Sequence, residues 1–391
     1  MLDREAHVPA NVPAHGGFLW WHRGDGFAGW GEAARVPVGS EPARFERAGR
    51  DLARLFARVQ TADPDGPVPI GVGSFSFDRH EPGSILVVPQ VVVRGTDVTI
   101  AGAMELPVIA HEARIAPAVD RARYAGADIS ELAWLEAVSD AIRDVSQGQL
   151  SKVVLARDEL VWARAPFDEG AIASRLIDRF PDCYTFVCGG LIGASPELLV
   201  RKVGRHVESV VLAGSAPRGS DAATDDRLAQ RMLDSNKERD EHGLSVTSVV
   251  EGLRSLCSDV EVEDTPHLMR LANLQHLATS VRARADATMS VLDLVGALHP
   301  TAAVCGAPRS EALARIRSVE GRARGRYGGP VGWVDARGDG EWAIALRCAQ
   351  VDGTRARLFA GAGIVAGSMP EEELEETRLK LRAMQEALGA G

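Results

Sequence analysis

The sequence predicts an α+β fold built on antiparallel β-sheets. Two observations support this class: strand-like and helix-like segments alternate irregularly along the 391 residues, and hairpin patterns are frequent. A doubly wound α/β fold would instead require a regular succession of strand and helix. Because no low-complexity tract, short repeat or clear linker interrupts the chain, we expect a single large domain over residues 1–391.

The first part of the chain, residues 1–125, carries the weakest pattern. Segments rich in glycine and proline alternate with short apolar runs such as ILVVPQVVV at 85–93. Such runs predict β-strands separated by turns. The residues that carry a functional signal begin after position 125.

From residue 125 onward, apolar spacing defines a series of elements. Helical spacing over 131–148 ends in glycine, and the apolar segment 150–162 that follows predicts a strand. The remaining predicted elements are a helix at 171–180, several strands within 183–219, one long amphipathic helix at 225–257, helices at 291–300 and 309–321, a hairpin at 328–351, a strand at 354–368 and a closing helix at 370–388.

Composition restricts the classes of function. The chain has 44 basic and 54 acidic residues and a formal net charge of -10, which argues against a nucleic-acid partner because phosphate binding requires a basic face. No apolar stretch reaches the length of a membrane span, and the N-terminal segment lacks an apolar signal core. We therefore expect a cytoplasmic protein with no membrane partner. The five cysteines form no CxxC pair, which indicates reduced thiols.

Two pairs of glutamates have the spacing of neighbours on one helix face. Glu238 and Glu241 lie three residues apart in the long predicted helix, and Glu373 and Glu376 have the same spacing in the last helix. Carboxylates placed side by side repel unless a cation lies between them, and two such faces together would form an oxygen site suited to Mg²⁺. Taken alone, each pair is also typical of a solvated acidic helix face.

A lysine and a glutamate in apolar surroundings are candidates for acid–base chemistry. Lys152 lies in the strand segment SKVVLAR and could act as a general base if partly desolvated, or could extend its amine to the surface. Glu197 lies in GASPELLV, where partial desolvation would raise its pKa and suit a general acid. A plain charged residue at the start of a strand is the alternative for Glu197.

Two glycine-rich segments follow predicted strands, at 212–219 and 359–368. Glycine allows backbone N–H groups to approach an anion closely. Neither segment matches a phosphate-binding loop or a dinucleotide-binding motif, so simple tight turns explain them equally well.

Four further polar residues are candidates for a functional site. Arg347 lies within an apolar strand segment and needs an anionic partner, which a substrate or the protein itself could supply. Lys380 lies four residues beyond Glu376, so it can stabilise the helix or reach an anion. Tyr327 and His276 are neutral hydrogen-bonding candidates, with a structural role as the alternative.

Together these segments resemble the chorismate-utilising enzymes, a family that includes isochorismate synthase, salicylate synthase and the synthase components of anthranilate and aminodeoxychorismate formation. The resemblance covers residues 125–388, and residues 1–125 contribute little to it. The similar stretches are SKVVLAR, SPELLV, LAGSAPRG, NKERDEHGLSVTSVVEGL, HPTAAVCGAP, GRYGGPVGWVD, ALRCAQV and GAGIVAGSMPEEELEET.

The resemblance implies two large antiparallel sheets packed face to face with helices outside, and one deep site for chorismate and Mg²⁺. By position in the motifs, Glu241 and Glu376 resemble the direct Mg²⁺ ligands, and Glu238 and Glu373 resemble the residues that hold the metal's waters. The substrate-binding residues implied in the same way are Gly214, Ser215, His276, Ala303, Tyr327, Arg347, Gly361, Gly363 and Lys380.

The nucleophile distinguishes the branches of the family. Members that use ammonia generally carry a non-basic residue at the position of Lys152 and work with a glutamine-hydrolysing domain or partner. Lysine therefore implies a water-using enzyme, similar to the isochorismate synthases of siderophore pathways, without a glutamine amidotransferase subunit. In such an enzyme Lys152 deprotonates the water that attacks C2 of chorismate, and Glu197 protonates the departing C4 hydroxyl. We expect Mg²⁺ as the cofactor and a monomer as the working form.

Two alternatives remain open from the sequence. A salicylate synthase shares the lysine and goes on to eliminate pyruvate, although LAGSA at 212–216 looks more like the isochorismate synthases. A non-catalytic homologue would bind chorismate and Mg²⁺ without turnover. One position departs from the family pattern, because Ala302 stands where the family usually has proline, which loosens a loop beside the expected substrate.

Overall fold

The computed structural model describes residues 16–59, 68–95, 97–101 and 122–390, and over these residues the chain forms 21 strands and eight helices. The strands are β1 (Gly17–His22), β2 (Asp25–Trp30), β3 (Ala34–Arg35), β4 (Ile70–Ser74), β5 (Ile85–Val88), β6 (Val91–Arg94), β7 (Asp97–Ile100), β8 (Arg123–Gly126), β9 (Lys152–Trp162), β10 (Tyr184–Cys188), β11 (Leu191–Ser195), β12 (Leu198–Val203), β13 (His206–Pro217), β14 (Ser258–Val262), β15 (His267–Arg270), β16 (Leu274–Arg284), β17 (Gly306–Ala307), β18 (Pro330–Asp335), β19 (Gly340–Ile344), β20 (Cys348–Asp352) and β21 (Arg355–Ile364). The helices are α1 (Arg44–Phe56), α2 (Glu131–Ser146), α3 (Glu169–Arg179), α4 (Ala222–Asp234), α5 (Asn236–Arg254), α6 (Val291–Leu298), α7 (Arg309–Val319) and α8 (Pro370–Leu388).

The strands of the described residues form two antiparallel sheets. Sheet A has the order β17-β9-β21-β20-β11-β10-β1-β2-β6-β7, and β8 also pairs with β9. Sheet B has the order β14-β16-β13-β12-β19-β18-β4-β5-β3, and β15 also pairs with β16. Early and late parts of the chain share both sheets, because β1 pairs with β10 and β4 pairs with β18. The predicted α+β class with antiparallel sheets is confirmed.

The inner faces of the two sheets pack against each other. Phe18, Trp20 and Phe186 from sheet A are buried in one cluster with Leu198 and Ala343 from sheet B. Removal of both apolar faces from water stabilises this layered arrangement. The face-to-face packing that the family resemblance implied is therefore confirmed.

Helices cover the outer faces of both sheets. On sheet A, Ile172 and Leu176 of α3 and Met384 of α8 are buried in one cluster with Leu358 and Ala360 of β21. Helices α5 and α6 pack against sheet B in the same way. Among the described helices, none combines the length and the apolar character needed to cross a membrane.

The structure corrects the predicted single helix at 225–257. That segment contains most of α4 and all of α5, which meet at Ser235. The serine backbone is extended (φ -72°, ψ 119°), and its side chain accepts a hydrogen bond from the Glu238 N–H at 3.3 Å. Ser235 therefore ends α4 and caps the N-terminus of α5, the helix that carries Glu238 and Glu241.

Two further predictions are wrong in detail. Helix α1 lies in the region for which strands and turns were expected, although its buried residues Phe45, Leu52 and Phe56 follow a helical spacing. The glycine-rich segments at 212–219 and 359–368 do not follow strands but lie largely within β13 and β21. Their glycines therefore belong to the sheets and not to loops.

Candidate active site

Two chain segments pass from one sheet to the other at adjacent positions. The link from β11 in sheet A to β12 in sheet B contains Glu197, and the link from β19 in sheet B to β20 in sheet A contains Arg347. The N–H of Ala194 donates to the Arg347 carbonyl at 3.2 Å. The N–H of Ile344 donates to the Glu197 carbonyl at the same distance. These bonds hold the two crossovers, and with them Glu197 and Arg347, side by side.

Arg347 does not continue a strand, as the sequence suggested, but lies at this break. Its φ is 46°, a left-handed conformation that is uncommon for a residue with a side chain. The guanidinium is buried, and burial lowers its pKa below the ordinary value. A strained backbone that directs a buried cation inward is typical of a functional position.

A small cavity of about 60 Å³ lies at the crossovers. Twelve of the fifteen residues predicted for the site line it, so the structure brings together residues from most of the core sequence. The twelve are Glu197, Gly214, Ser215, Glu241, His276, Ala303, Tyr327, Arg347, Gly361, Gly363, Glu376 and Lys380. The other three, Lys152, Glu238 and Glu373, are not among the residues that line it.

Lys152 points from β9 toward the cavity, because alternate residues of a strand face opposite sides and Val153 is buried on the helix-covered side. Its Nζ donates to Ser245 Oγ at 2.9 Å and forms an ion pair with Glu241 Oε1 at 3.1 Å. The side chain is fully buried, so the surface alternative for this lysine is wrong. Ser245 was missed by the sequence analysis, although it lies four residues beyond Glu241 on α5 and thus on the same face.

A glycine on the neighbouring strand leaves space for this contact between Lys152 and Glu241. Gly363 lies on β21, next to β9 in sheet A. A Cβ at Gly363 would lie 2.1 Å from Glu241 Oε1, which is too close, and 3.0 Å from Lys152 Cε, which is a tight contact. Any larger residue at this position would displace the ion pair.

Glu197 is buried beside the cavity, and burial raises the pKa of its carboxyl to about 8. A hydrogen bond from the Leu212 backbone and the positive charges of Lys152 and Arg347 oppose this shift without cancelling it. The carboxyl is therefore mostly protonated at neutral pH. A protonated carboxyl that faces a cavity can donate a proton to a leaving group.

His276 connects sheet B to Arg347. Its Nε2 lies 3.2 Å from Arg347 Nη2, and its Nδ1 lies 3.0 Å from the Gly214 carbonyl and 3.1 Å from Ser215 Oγ. A guanidinium only donates and a carbonyl only accepts, which places the proton on Nδ1 and the lone pair on Nε2. Burial and the Arg347 charge lower the pKa of His276 to about 3. The imidazole is thus neutral and fixes the guanidinium in place.

A bulge in β13 brings Glu238 next to Gly214 and Ser215, which line the cavity. The register with β16 shifts between Ala213 and Ser215, and Gly214 adopts a φ of 76°. A Cβ at Gly214 would lie 2.9 Å from Glu238 Oε2. The same oxygen accepts the Ser215 N–H at 3.1 Å, so the bulge binds this carboxylate through the backbone.

Tyr327 and Lys380 supply donors to the cavity. Tyr327 stacks on Phe359, with ring centroids 5.1 Å apart, and burial raises its pKa well above the usual value. The phenol therefore keeps its proton. Lys380 Nζ donates to the Gly361 carbonyl at 2.9 Å and also pairs with Glu376.

Helices α5 and α8 bring the two glutamate pairs to one place. Burial and the charge of Glu241 raise the pKa of Glu238 to about 7, and burial and the charge of Glu376 do the same to Glu373. Burial alone would raise the pKa of Glu376, but Lys380 holds it at about 2. The negative charges of Glu241 and Glu376 thus disfavour ionisation of Glu238 and Glu373, whereas Lys380 favours ionisation of Glu376.

The donor set fits a hard cation in its chemistry. Mg²⁺ prefers oxygen ligands such as carboxylates, and its positive charge would offset the repulsion between these glutamates. Over the ranges that the structure describes, no three histidine, cysteine, aspartate or glutamate side chains are arranged as metal ligands. Lysine amines contact all four glutamates: Lys152 contacts Glu241, Lys237 contacts Glu238 and Glu373, and Lys380 contacts Glu376.

Arg324 is a cavity residue that the sequence analysis missed. It donates to the carbonyls of Val154 and Val304, both at 2.7 Å, and forms a buried ion pair with Glu320. Glu320 in turn accepts the Ala156 N–H at 2.8 Å. The pair thus ties β9 to the loop that precedes β17. No local signal identifies Arg324, since it lies among other arginines in GRARGRYGG.

The part of the chain that contains these residues is similar to known proteins. Residues 106–389 match the family model for chorismate binding enzymes. Isochorismate synthase DhbC of Bacillus subtilis is 35% identical over 333 residues, which cover 82% of this chain and 81% of that protein. Isochorismate synthase EntC of Escherichia coli K12 is 35% identical over 343 residues, covering 86% and 85%. The crystal structure assigned to a 2,3-dihydroxybenzoate-specific isochorismate synthase of Bacillus anthracis is 31% identical, with a TM-score of 0.82 and 96% of both chains covered.

Proposed function

Because the chain belongs to the family of chorismate binding enzymes, we propose that it is an isochorismate synthase, an isomerase that converts chorismate to isochorismate. The names of the relatives from Bacillus subtilis and Escherichia coli support this activity. One observation carries it: a single site contains a buried carboxyl with a raised pKa, Glu197, a buried amine, Lys152, and a buried guanidinium, Arg347. Moving a hydroxyl between two carbons of a dianionic ring requires an acid, a base and a cation, and these three groups can supply them.

The proposed reaction exchanges one water for another. Water attacks C2 of the ring, and Lys152 accepts its proton. The double bonds shift, and the C4 hydroxyl leaves as water with a proton from Glu197. One proton is taken up and one is released, and no electrons are gained or lost, so no redox cofactor is needed. In its ion pair with Glu241 the Lys152 amine is a cation, so it must release a proton before it can act as the base.

We assign the substrate carboxylates to the two cationic ends of the cavity. Arg347 and Tyr327 are placed to hold the enolpyruvyl carboxylate, assisted by backbone N–H groups near Gly361 and Gly363. His276 keeps the guanidinium oriented through its neutral Nε2. Fixed orientation of this kind brings C2 and C4 of the ring to the base and the acid.

We propose that Glu241 and Glu376 hold Mg²⁺ directly, with Glu238 and Glu373 on the waters of the metal. This assignment of direct ligands and water-holding residues is supported by position, because Glu241 and Glu376 line the cavity whereas Glu238 and Glu373 do not. Bound there, Mg²⁺ supplies the positive charge that the ring carboxylate requires.

For the pathway we propose a siderophore route through 2,3-dihydroxybenzoate. The likeness to the Bacillus anthracis protein supports this assignment. We further propose that the chain works as a single-domain monomer in the cytoplasm, without a glutamine amidotransferase subunit, since water and not ammonia is the nucleophile.

Chromatography of the products tests the proposed activity. The purified full-length chain is incubated with chorismate and Mg²⁺, and we expect isochorismate to accumulate without pyruvate. Salicylate released together with pyruvate would identify a salicylate synthase instead. A chorismate peak that stays unchanged in the presence of excess Mg²⁺, while chorismate still binds, would identify a non-catalytic homologue.

A further inference from the structure

Lysine is rare in this chain and concentrated at one place. Four of the 44 basic residues are lysines, and the other 40 are arginines. All four lie in the described residues, and three of them contact the glutamate pairs. The three contacts are Lys152 with Glu241, Lys237 with Glu373, and Lys380 with Glu376. A chain that otherwise uses arginine for its positive charge therefore uses lysine where the acidic helices meet.

Lys237 is the one of these three lysines that was not among the predicted site residues. It lies in the first turn of α5, and its Nζ is 2.7 Å from Glu373 Oε1 on α8 and 3.6 Å from Glu238 Oε1. The Glu373 side chain is only 1% exposed, whereas the Lys237 side chain is 20% exposed. The ammonium thus bridges the two helices from the solvent side.

Lysine is suited to a position where the positive charge has to move away from its carboxylate partners. An ammonium on a flexible four-carbon stem makes single contacts and can retreat, whereas a guanidinium grips a carboxylate with two parallel bonds. Without any cation, the neighbouring carboxylates would repel one another in a buried place. With a divalent cation bound, a second positive charge at the same oxygens would be repelled in turn.

We propose that Lys237 is a removable counter-ion of the Mg²⁺ site: its ammonium neutralises Glu373 and Glu238 in the metal-free protein and withdraws toward solvent when the divalent cation binds. Lys237 therefore competes with Mg²⁺. The inference rests on the proposed function, because Mg²⁺ at the glutamate pairs is part of it.

Calorimetric titration of Mg²⁺ into the full-length chain, without chorismate, tests the competition. We expect Lys237→Gln to bind Mg²⁺ about tenfold more tightly than the wild type, which corresponds to about 1.4 kcal/mol. Lys237→Arg keeps a cation that holds Glu373 more firmly, so it should bind Mg²⁺ no better than the wild type. Equal or weaker Mg²⁺ binding by Lys237→Gln would overturn the inference.

Lys202 offers a matched control. This lysine is more deeply buried than Lys237, and it pairs with Asp339 of the turn between β18 and β19 at 2.7 Å, the same distance as that from Lys237 to Glu373. Lys202→Gln removes a lysine–carboxylate pair of the same kind without touching the glutamates. Its Mg²⁺ affinity should equal that of the wild type, and a tightening as large as that of Lys237→Gln would show that the effect is not specific to the site.

A second measurement uses the wild-type chain and does not depend on the folding of a variant. The protein is acetylated briefly with and without Mg²⁺, and modification of each lysine is followed by mass spectrometry. We expect Lys237 to be acetylated several-fold faster with Mg²⁺, because the ammonium has moved toward solvent. An unchanged or slower rate would contradict the withdrawal.

The outcomes separate the inference from the proposed function. If neither the wild type nor Lys237→Gln binds Mg²⁺, both the inference and the metal part of the function are wrong. If Mg²⁺ binds as expected but chorismate is not converted, the counter-ion role stands and the proposed activity falls.

Discussion

His276 Nε2 accepts a hydrogen bond from Arg347 Nη2 at 3.2 Å, and both side chains are buried. His276 lies on β16 and Arg347 lies in the link between β19 and β20, yet each constrains the other. Because the imidazole is neutral and its tautomer is set by the Gly214 carbonyl, the guanidinium meets an acceptor in a fixed direction. The arginine keeps its remaining donors for an anion in the cavity.

The first prediction concerns this orientation. His276→Ala leaves the positive charge of Arg347 in place but removes its acceptor, so we expect the KM for chorismate to rise about tenfold with a smaller change in kcat. Steady-state kinetics measure both constants. His299→Ala is the control, because His299 is equally buried but bonds the Phe77 carbonyl outside the cavity. A KM for His276→Ala equal to that of the wild type would contradict the role.

The second prediction follows from the raised pKa of Glu197. Its folded-state pKa is about 8 and its ordinary value is 4.5, so between these pH values the native state holds a proton that the unfolded state has lost. The stabilising contribution is complete below about 4.5 and is lost as the pH rises through about 8. Urea unfolding across this range should show a steeper loss of stability in the wild type than in Glu197→Gln.

An exposed carboxylate supplies the comparison for Glu197. Glu251 lies on the solvent side of α5, and Glu251→Gln should keep the wild-type dependence of stability on pH. Parallel stability curves for the wild type and Glu197→Gln would show that this carboxyl is ionised in the folded protein.

The sequence was sufficient for the local parts of the site. A spacing of three residues identified the glutamate pairs, because α-helical geometry fixes which side chains share a face. Alternation along β9 identified the direction of Lys152 relative to Val153. Both depend on the nearest neighbours along the chain, which is the information that a sequence contains directly.

The remaining parts depend on contacts between distant segments. The break at Ser235 rests on a single side-chain cap inside an otherwise continuous helical pattern. The position of Arg347 follows from a strand that changes sheets, and its apolar neighbours look the same whether the strand continues or breaks. Lys237 on α5 contacts Glu373 on α8, although the two residues are 136 positions apart in the chain. No local spacing predicts such a contact.

The third prediction concerns the base. Lys152→Met keeps the length of the side chain and removes the amine, so we expect the rate of isochorismate formation to fall roughly 10²- to 10⁴-fold while circular dichroism stays that of the folded protein. Ser245→Ala removes only the hydroxyl that accepts from the amine at 2.9 Å and should cost far less. A Lys152→Met variant with wild-type turnover would exclude this lysine as the base.

The fourth prediction concerns the metal ligands. Glu376→Gln removes the charge of a carboxylate that lines the cavity, and we expect it to lose Mg²⁺-dependent activity. Glu375→Gln alters the adjacent residue, which is exposed and pairs with Arg378, and should retain full activity. Excess EDTA should abolish wild-type activity and added Mg²⁺ should restore it. Full activity in EDTA would refute a metal requirement.

The fifth prediction concerns Ala302, which stands where the resembling family has proline. The Ala302 N–H donates to Ser248 Oγ at 3.2 Å, and proline has no N–H to donate. In the wild type, Ser248→Ala should cost about 1 kcal/mol of unfolding free energy, the usual contribution of one such bond.

In an Ala302→Pro background the same Ser248→Ala change should cost almost nothing, because the bond is already lost. Urea unfolding of the wild type, the two single variants and the double variant measures the coupling between the two positions. The effect of proline on the unfolded chain is the same with and without Ser248→Ala, so it cancels from this coupling. Additive effects would show that Ser248 does not hold the loop, and the proline-to-alanine difference would then act through backbone freedom alone.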